Sequence, residues 1–443
     1  MTTVQAAIER LRAQGMHSVL AQFCDLRGVA RGKLLPLERL PDAVTVGAGF
    51  SGPSIWGTGL PRQGPRSEYY GRIQLDTLRP LPWLEGVAHG VCDGYAGGEP
   101  LDTCSRQLLR RQLARLSDHG WTLWVGIEPE FFLLQRDAEG RWRPGDAGDR
   151  QAKPSYDLKA LHRQQGFIEG MRQALTHLGF ALEQIDHEDA NGQYEINYRH
   201  DEALRAADRF LLFKQAAHAM AERQGLVFSC MPKPFADQPG SGLHCHLSLT
   251  DAAGTPVMAD PAAAQGLSAT GRAFVAGLLA HADALSALCA PTVNSYRRLA
   301  VSDSRSGTTW SPVWKAWGDN NRTCLVRTVA GRLEWRLPDA ACNIYAALAA
   351  TLAAGLDGIE RGLQPPPARD DDLYQAHAAG ASMPARLPRD LRAALDALQA
   401  DDGLRQAVGL SFCEQFLAVQ SAEWADWQDQ VSAWELERYV DAF

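Results

Sequence analysis

The chain has no Cys-x-x-Cys pair, no surplus of positive charge and no apolar run long enough to span a bilayer. Each absence removes a class of function. Nine cysteines, scattered and odd in number, argue against a disulfide framework or a thiolate metal site and for reduced thiols in a cytoplasm. A net charge of -8 gives no general attraction to nucleic acid or to acidic membranes. The longest apolar run, 344–356, is Ala-rich and falls short of the ~20 residues a spanning helix needs. The first ten residues open an amphipathic helix and lack the apolar stretch of a signal peptide. Internal repeats and low-complexity tracts are also missing. These features together lead to the expectation of a cytoplasmic protein with small-molecule substrates, no nucleic acid partner and no membrane partner.

What is present is ordinary for a globular chain: 443 residues, 45% hydrophobic and 22% charged. That length exceeds one compact core and predicts two domains. The Gly/Pro-rich stretch 94–100 divides them into 1–100 and 101–443. Two glycine-rich stretches are decoys. Residues 27–33 (Arg-Gly-Val-Ala-Arg-Gly-Lys) are one residue short of a phosphate-binding P-loop and lack its Ser/Thr. Gly47, Gly49 and Gly52 match the dinucleotide pattern, but Pro53, Gly57, Gly59 and Pro61 forbid the helix whose N-terminus would hold a pyrophosphate. Residues 47–66 read as a flexible loop.

Periodicity predicts helices at 4–14, 105–119, 155–178, 201–224 and 266–289, and from 343 onward. Strands are expected at 18–25, 71–76 and 87–92. The stretch 121–133 alternates apolar and mixed residues, so Glu128 and Glu130 share one strand face. Two neighbouring anions on a half-buried face are costly unless a cation joins them. Three further stretches make the same demand. Asn191-Gly192 predicts a two-residue type I′ hairpin turn, which would set Glu188 directly opposite Glu195. His244, His246 and Ser248 share a face of 242–249, and Arg332, Glu334 and Arg336 share a face of 332–337. Carboxylates with one or two imidazoles suit a hard divalent cation, Mg²⁺ or Mn²⁺. Nearby arginines supply bidentate phosphate recognition. Cations and arginines around anionic oxygens are the equipment of phosphoryl transfer.

Six stretches then occur in a telling order: Glu-Pro-Glu-Phe (128–131), His-Glu-Asp-Ala-Asn-Gly-Gln-Tyr-Glu (187–195), Gly-Ser-Gly-Leu-His-Cys-His-Leu-Ser (240–248), Asn-Ser-Tyr-Arg-Arg-Leu (294–299), Asn-Arg-Thr (321–323) and Arg-Leu-Glu-Trp-Arg-Leu-Pro-Asp (332–339). In this the chain resembles the glutamine synthetases across about residues 50–360. It is most similar to the shorter bacterial branch that holds γ-glutamylmethylamide synthetases and the type III enzymes. The resemblance implies an α+β protein: a small N-terminal β-grasp domain and a large catalytic domain with an antiparallel active-site sheet backed by helices. It also implies a homo-oligomer, a dodecamer of two hexameric rings with active sites between subunits.

By the same resemblance, Glu130, Glu188 and Glu195 are similar to the ligands of one metal, and Glu128, His244 and Glu334 to those of the other. His246, Ser248, Arg322 and Arg327 would face ATP. Gly240, Arg298, Arg322 and Arg336 would hold glutamate and the transferring phosphate, with Arg298 and Arg322 catalytic. The reaction implied is a ligation through γ-glutamyl phosphate. Departures from the family pattern bear on the amine. Phe50-Ser51-Gly52-Pro53-Ser54 lacks the Asp that ammonia-using members carry, and Pro239 replaces an Asn. Six places after Arg298 stands Ser304 where a flap glutamate is expected, with Asp303 beside it as a candidate catalytic base. Losing acidic groups favours a primary alkylamine, methylamine first, with Trp56 or Trp310 at its apolar end. The alternatives are ammonia, as in glutamine synthetase proper, and ethanolamine or a polyamine.

Overall fold

A computed structural model describes residues 3–301, 306 and 310–443. The first hundred residues build a seven-stranded sheet with helices Thr3–Ala13 and Leu40–Thr45 packed beside it. Helix Thr3–Ala13 buries Ala7, Ile8 and Leu11, one stripe at helical spacing. Strand Ser18–Cys24 runs antiparallel to Ala30–Pro36 and parallel to Val87–Ala96. Glu68–Ile73 continues the sheet, and Ala48–Ser51 closes it as an edge strand. The loop expected at 47–66 therefore begins as a strand. Its glycines are used for close packing, since a Cβ on Gly47 would sit 3.1 Å from the backbone of Gly71. Phe23, Phe50 and Tyr69 meet ring to ring beneath it.

The larger part is a ten-stranded sheet, seven strands of which run in the order Leu182–His187, Gln193–Tyr198, Trp121–Arg136, Leu243–Asp251, Arg332–Trp335, Val326–Val329, Trp317–Asp319, while Trp142–Pro144, Asp201–Glu202 and Val227–Ser229 pair with Trp121–Arg136 off this path. Neighbours along this path are antiparallel except the last pair. The sixteen-residue strand Trp121–Arg136 is its axis. The apolar face of that strand (Leu123, Val125, Ile127, Phe131, Leu133) rests on helices Ser105–Asp118, Ala203–Arg223 and Ile344–Glu360, which leaves the carboxylate face free. The Ala-rich run is thus a core helix rather than a surface one. It packs so tightly on Ala269–Ala280 that a Cβ at Gly277 would lie 2.1 Å from the Ala354 carbonyl oxygen.

Two expected helices are broken. Residues 155–178 divide at Gln164 into Leu158–Arg163 and Gln165–His177. Residues 266–289 bend by 75° at His281. There the imidazole is clamped between Asp401 (2.5 Å) and Asp357 (3.0 Å), which fixes the corner. No single helix among the described residues is long and apolar enough to cross a membrane. The two sheets are joined by a buried ion network in which Arg106 bridges Asp93 and Asp208. A second joint is the Asn343 amide, which donates to the Asp25 carbonyl oxygen while its own oxygen caps helix Ile344–Glu360.

Candidate active site

Sheet register explains why scattered residues converge. Glu195 pairs with Asp186 on one side and with Glu130 on the other. Glu128 pairs with His244. His246 pairs with Glu334, which pairs in turn with Arg327. All of these residues project from one sheet face into a cavity of about 410 Å³, together with Glu188, Gly240, Arg298, Arg322 and Arg336. A second cavity of about 390 Å³ shares His246, Glu128 and Arg332 with the first and adds Ser248. Every site residue expected from the sequence, Asp303 and Trp56 excepted, lines one or both. Asp303 and Ser304 lie outside the described residues.

The hairpin differs from expectation. Glu188 N–H donates to the Gln193 carbonyl and Gln193 N–H to that of Ala190, so four residues form the connection and not two. Gly192 has φ +77° but Asn191 is not left-handed, which excludes a type I′ turn. The cause is long-range. Asp149 accepts from both Gly192 N–H (2.6 Å) and the Asn191 amide (2.9 Å), while Gln238 accepts from Asn191 N–H. Buried His187 braces Asp149 from the opposite side at 2.7 Å. The register thereby moves by two residues, and Asp186 replaces Glu188 as the cross-strand partner of Glu195.

The two ends of the site differ in charge. Around Glu334, Arg327 donates at 2.6 Å, Arg336 donates to the other oxygen, and His244 stands 3.6 Å away. Burial opposes ionisation of Glu334, but Arg336 and the two histidines outweigh it and hold its carboxyl at about 2. Glu128 is likewise held well below the usual carboxylate range, because His244 and His246 outweigh its burial. His246 donates from Nε2 to Glu128 (2.8 Å) while its Nδ1 accepts from Arg332 (3.0 Å), which assigns its tautomer.

At the other end no guanidinium of the described residues forms an ion pair with Asp186, Glu188 or Glu195. Oxygens of Asp186, Glu188 and Glu195 lie within 4.8 Å of one another. Burial, with Glu130 and Asp186 nearby, pushes Glu188 up to about 8. Glu195 is raised well above its ordinary value by burial and by Glu188 and Glu130. Burial, with Glu128 and Glu130, brings Asp186 to about 6. Like charges this close are held together only by protons or by a cation. The donor set, all oxygen at this end and oxygen plus imidazole at the other, fits hard divalent cations.

Arg298 is buried beneath the cavity. It donates to the carbonyls of Leu337 and Pro338, and its Nε has no hydrogen-bond partner among the described residues. A Cβ on Gly240 would approach Arg298 Cγ at 3.0 Å and the Pro232 carbonyl at 2.5 Å, so glycine is required where these meet. Arg336 donates to the Trp310 carbonyl at 3.1 Å, and Arg322 stacks over the Trp310 ring at 5.9 Å. Trp310 lines the main cavity, whereas Trp56 sits under Arg27 in a separate cleft of the same chain.

Sequence reasoning missed several lining residues, of which four are instructive. Asp186 was accessible, lying two residues before Glu188 on the same strand face. Gln193, whose amide donates to Glu130 (3.2 Å) and Ser241 (3.0 Å), gave no signal. Tyr156, in the left-handed region at φ +63°, and Ser155 come from a loop that periodicity cannot place.

Comparison with known proteins agrees with this geometry. Residues 102–439 match the glutamine synthetase catalytic domain. A glutamate–methylamine ligase of Methyloversatilis universalis is 42% identical over 98% of both chains. A glutamine synthetase of Rhizobium meliloti is 37% identical over 97% of this chain and 98% of its own length. A solved structure of GmaS with ADP superimposes with a TM-score of 0.91 at 40% identity, covering 98% of this chain and 99% of that one. The chain belongs to the glutamine synthetase family of ATP-dependent carbon–nitrogen ligases.

Proposed function

We propose that the protein joins the γ-carboxylate of L-glutamate to a primary alkylamine, methylamine first, at the expense of ATP. The observation that carries the ligase chemistry is the convergence of Glu128, Glu130, Glu188, Glu195, His244 and Glu334 with five arginines on one cavity. The full-length likeness to a glutamate–methylamine ligase supports the amine. So does the absence of an acidic residue from 50–54.

In this reading Glu130, Glu188 and Glu195 hold one divalent cation and Glu128, His244 and Glu334 the other, Mg²⁺ or Mn²⁺. When bound, such cations neutralise the phosphate charge that would otherwise repel an attacking carboxylate. His246, Ser248, Arg322 and Arg327 serve the nucleotide from the wall shared by the two cavities. Arg298, Arg336 and Gly240 hold glutamate, and the Nε of Arg298, without a partner among the described residues, would donate to a carboxylate. A γ-carboxylate oxygen bonds to the γ-phosphorus as the bond to ADP breaks. Arg322 and Arg327 stabilise the charge on the transferring oxygens. The amine nitrogen then attacks the acyl carbon, phosphate leaves with the C–O electrons, and a carboxylate takes the amine's proton. Asp303 is the candidate for that base.

The segment that aligns with the family's ammonia-binding stretch, Phe50 to Ser54, lies at the small sheet beside Lys33 and Arg62, outside the carboxylate-lined cavity of its own chain. That separation supports a ring assembly, stacked hexamers in this reading, in which the segment completes a neighbour's site. The nine unpaired cysteines support a cytoplasmic setting.

The test is phosphate release with ATP and glutamate across a panel of amines. A kcat/KM for methylamine above that for ammonium is expected. A tenfold preference for ammonium would make the protein a glutamine synthetase instead, and preference for ethanolamine or a polyamine would move it to that branch. Asp303→Ala is expected to lower turnover, and an unchanged rate removes it as the base.

A further inference from the structure

Residues 232–241 lead into the strand that carries His244 and His246, yet they form neither helix nor strand. Ser241 N–H closes this loop on the Pro232 carbonyl at 2.8 Å, and between those two residues no backbone–backbone hydrogen bond is made. Carbonyls in such a loop need donors from elsewhere, because a buried one left unpaired is costly. Lys233 supplies them. Its Nζ donates to the carbonyls of Phe235 (2.9 Å), Ala236 (3.1 Å) and Gln238, so the chain wraps around one ammonium and occupies all three of its protons. Lysine is almost never buried this deeply, and Lys233 is only 7% exposed. Burial lowers its pKa, and the charge of Asp237 opposes that shift.

The loop so held touches the site at three points. Asn294 pins its start: the Asn294 Oδ1 accepts from Lys233 N–H (2.7 Å) and the Asn294 amide donates to the Lys233 carbonyl (3.0 Å). Asn294 directly precedes the turn Ser295–Arg298, which ends on the buried guanidinium. At the loop's far end Gly240 is wedged between the Pro232 carbonyl and Arg298, with no room for a Cβ. Between them, Gln238 accepts from Asn191 N–H at 2.7 Å, and the Gly240 carbonyl accepts from the Gln193 amide at 3.2 Å. One face of the loop therefore meets Arg298, and the other meets the hairpin that presents Glu188 and Glu195. Without the ammonium, three inward carbonyls would turn toward other donors and carry Gly240 with them.

We propose that Lys233 is a positioning residue for glutamate: its ammonium fixes residues 232–241 in the shape that sets Gly240 against Arg298. This rests on the reading of the cavity as a glutamate site given above. The test is steady-state phosphate release by the full-length protein with ATP, glutamate and methylamine, varying glutamate and ATP in turn. Lys233→Met keeps the apolar stem and removes every donor; Lys233→Gln restores two of them. Displacement of a positioning group by ~1 Å can cost ~100-fold, so Lys233→Met is expected to raise glutamate KM by at least ~10-fold and to leave ATP KM unchanged. Lys233→Gln is expected to fall between it and the parent. A parental glutamate KM in both variants overturns the inference alone. So does an equal rise in the KM of glutamate and ATP with a lowered Tm, which is what a merely structural lysine would give. If Lys233→Met does not fold, the same comparison of the two KM values in Lys233→Gln decides. A parent protein that releases no phosphate with glutamate overturns the ligase reading, and this inference with it.

Discussion

Glu334 and Glu195 are both buried carboxylates on the same sheet face, yet their surroundings are opposite. Glu334 is matched by Arg327, Arg336 and His244 of its own chain. Glu195 is met by Glu130 and Asp186 in register and by Glu188 beside them. The first end is close to neutral as folded. The second is an anionic pocket that folding alone would not choose, because each carboxylate raises the cost of ionising the next. A pocket of that kind is a binding site for positive charge. The contrast teaches that the two ends contribute differently: one is held ready by the protein, and the other is completed by what it binds.

The largest effect should come from removing one carboxylate at each end in metal-free protein. Glu334→Gln leaves two guanidinium groups buried without their anion and should destabilise by about 3–5 kcal/mol. Glu195→Gln removes a repulsion and should leave stability equal or higher. Urea unfolding in chelator measures both, and equal losses would erase the distinction. Next in size is metal removal. Saturating Mg²⁺ at ~100 times its Kd should raise unfolding free energy by ~2.7 kcal/mol per site, and Glu195→Gln should abolish most of the tighter site's share. Gly240→Ala sharpens the comparison on the substrate side. Its Cβ would push on Arg298, so glutamate KM should rise about tenfold, near 1.4 kcal/mol, with ATP KM unchanged.

An effect of similar size to the last concerns His281, whose charge is compensated far from the cavity. Burial disfavours its cation, but Asp401 and Asp357 outweigh that and raise its pKa. A raised histidine stabilises fully below its unfolded value of ~6.5 and loses the contribution as pH climbs through the folded pKa. Asp401 has the opposite sign: His281 outweighs its burial and lowers it, so its share is lost as acid protonates it. His281→Gln should cost about 1–2 kcal/mol near neutrality and flatten the alkaline fall in stability. An unchanged stability–pH profile would show the clamp to be inert.

Much of this was legible in the sequence because strand alternation is a strict period of two. Glu128 with Glu130, His244 with His246, and Arg332 with Glu334 could be set on shared faces without coordinates. What could not be read depends on distant partners. Asn191-Gly192 carries a strong local hairpin preference, but Asp149 and Gln238 impose another turn and so bring in Asp186. The breaks at Gln164 and His281 interrupt smooth helical periodicity, and His281 is fixed by carboxylates 76 and 120 residues away. The strand Ala48–Ser51 was hidden because glycines chosen for close packing against Gly71 look like loop glycines in sequence.

A Mn²⁺ titration of metal-stripped parent protein and Glu195→Gln tests the unequal charge of the two ends most directly. Two sites of unequal affinity are predicted in the parent, with the tighter one lost in the variant. A single class of equal sites, or a tight site that survives the substitution, would contradict it.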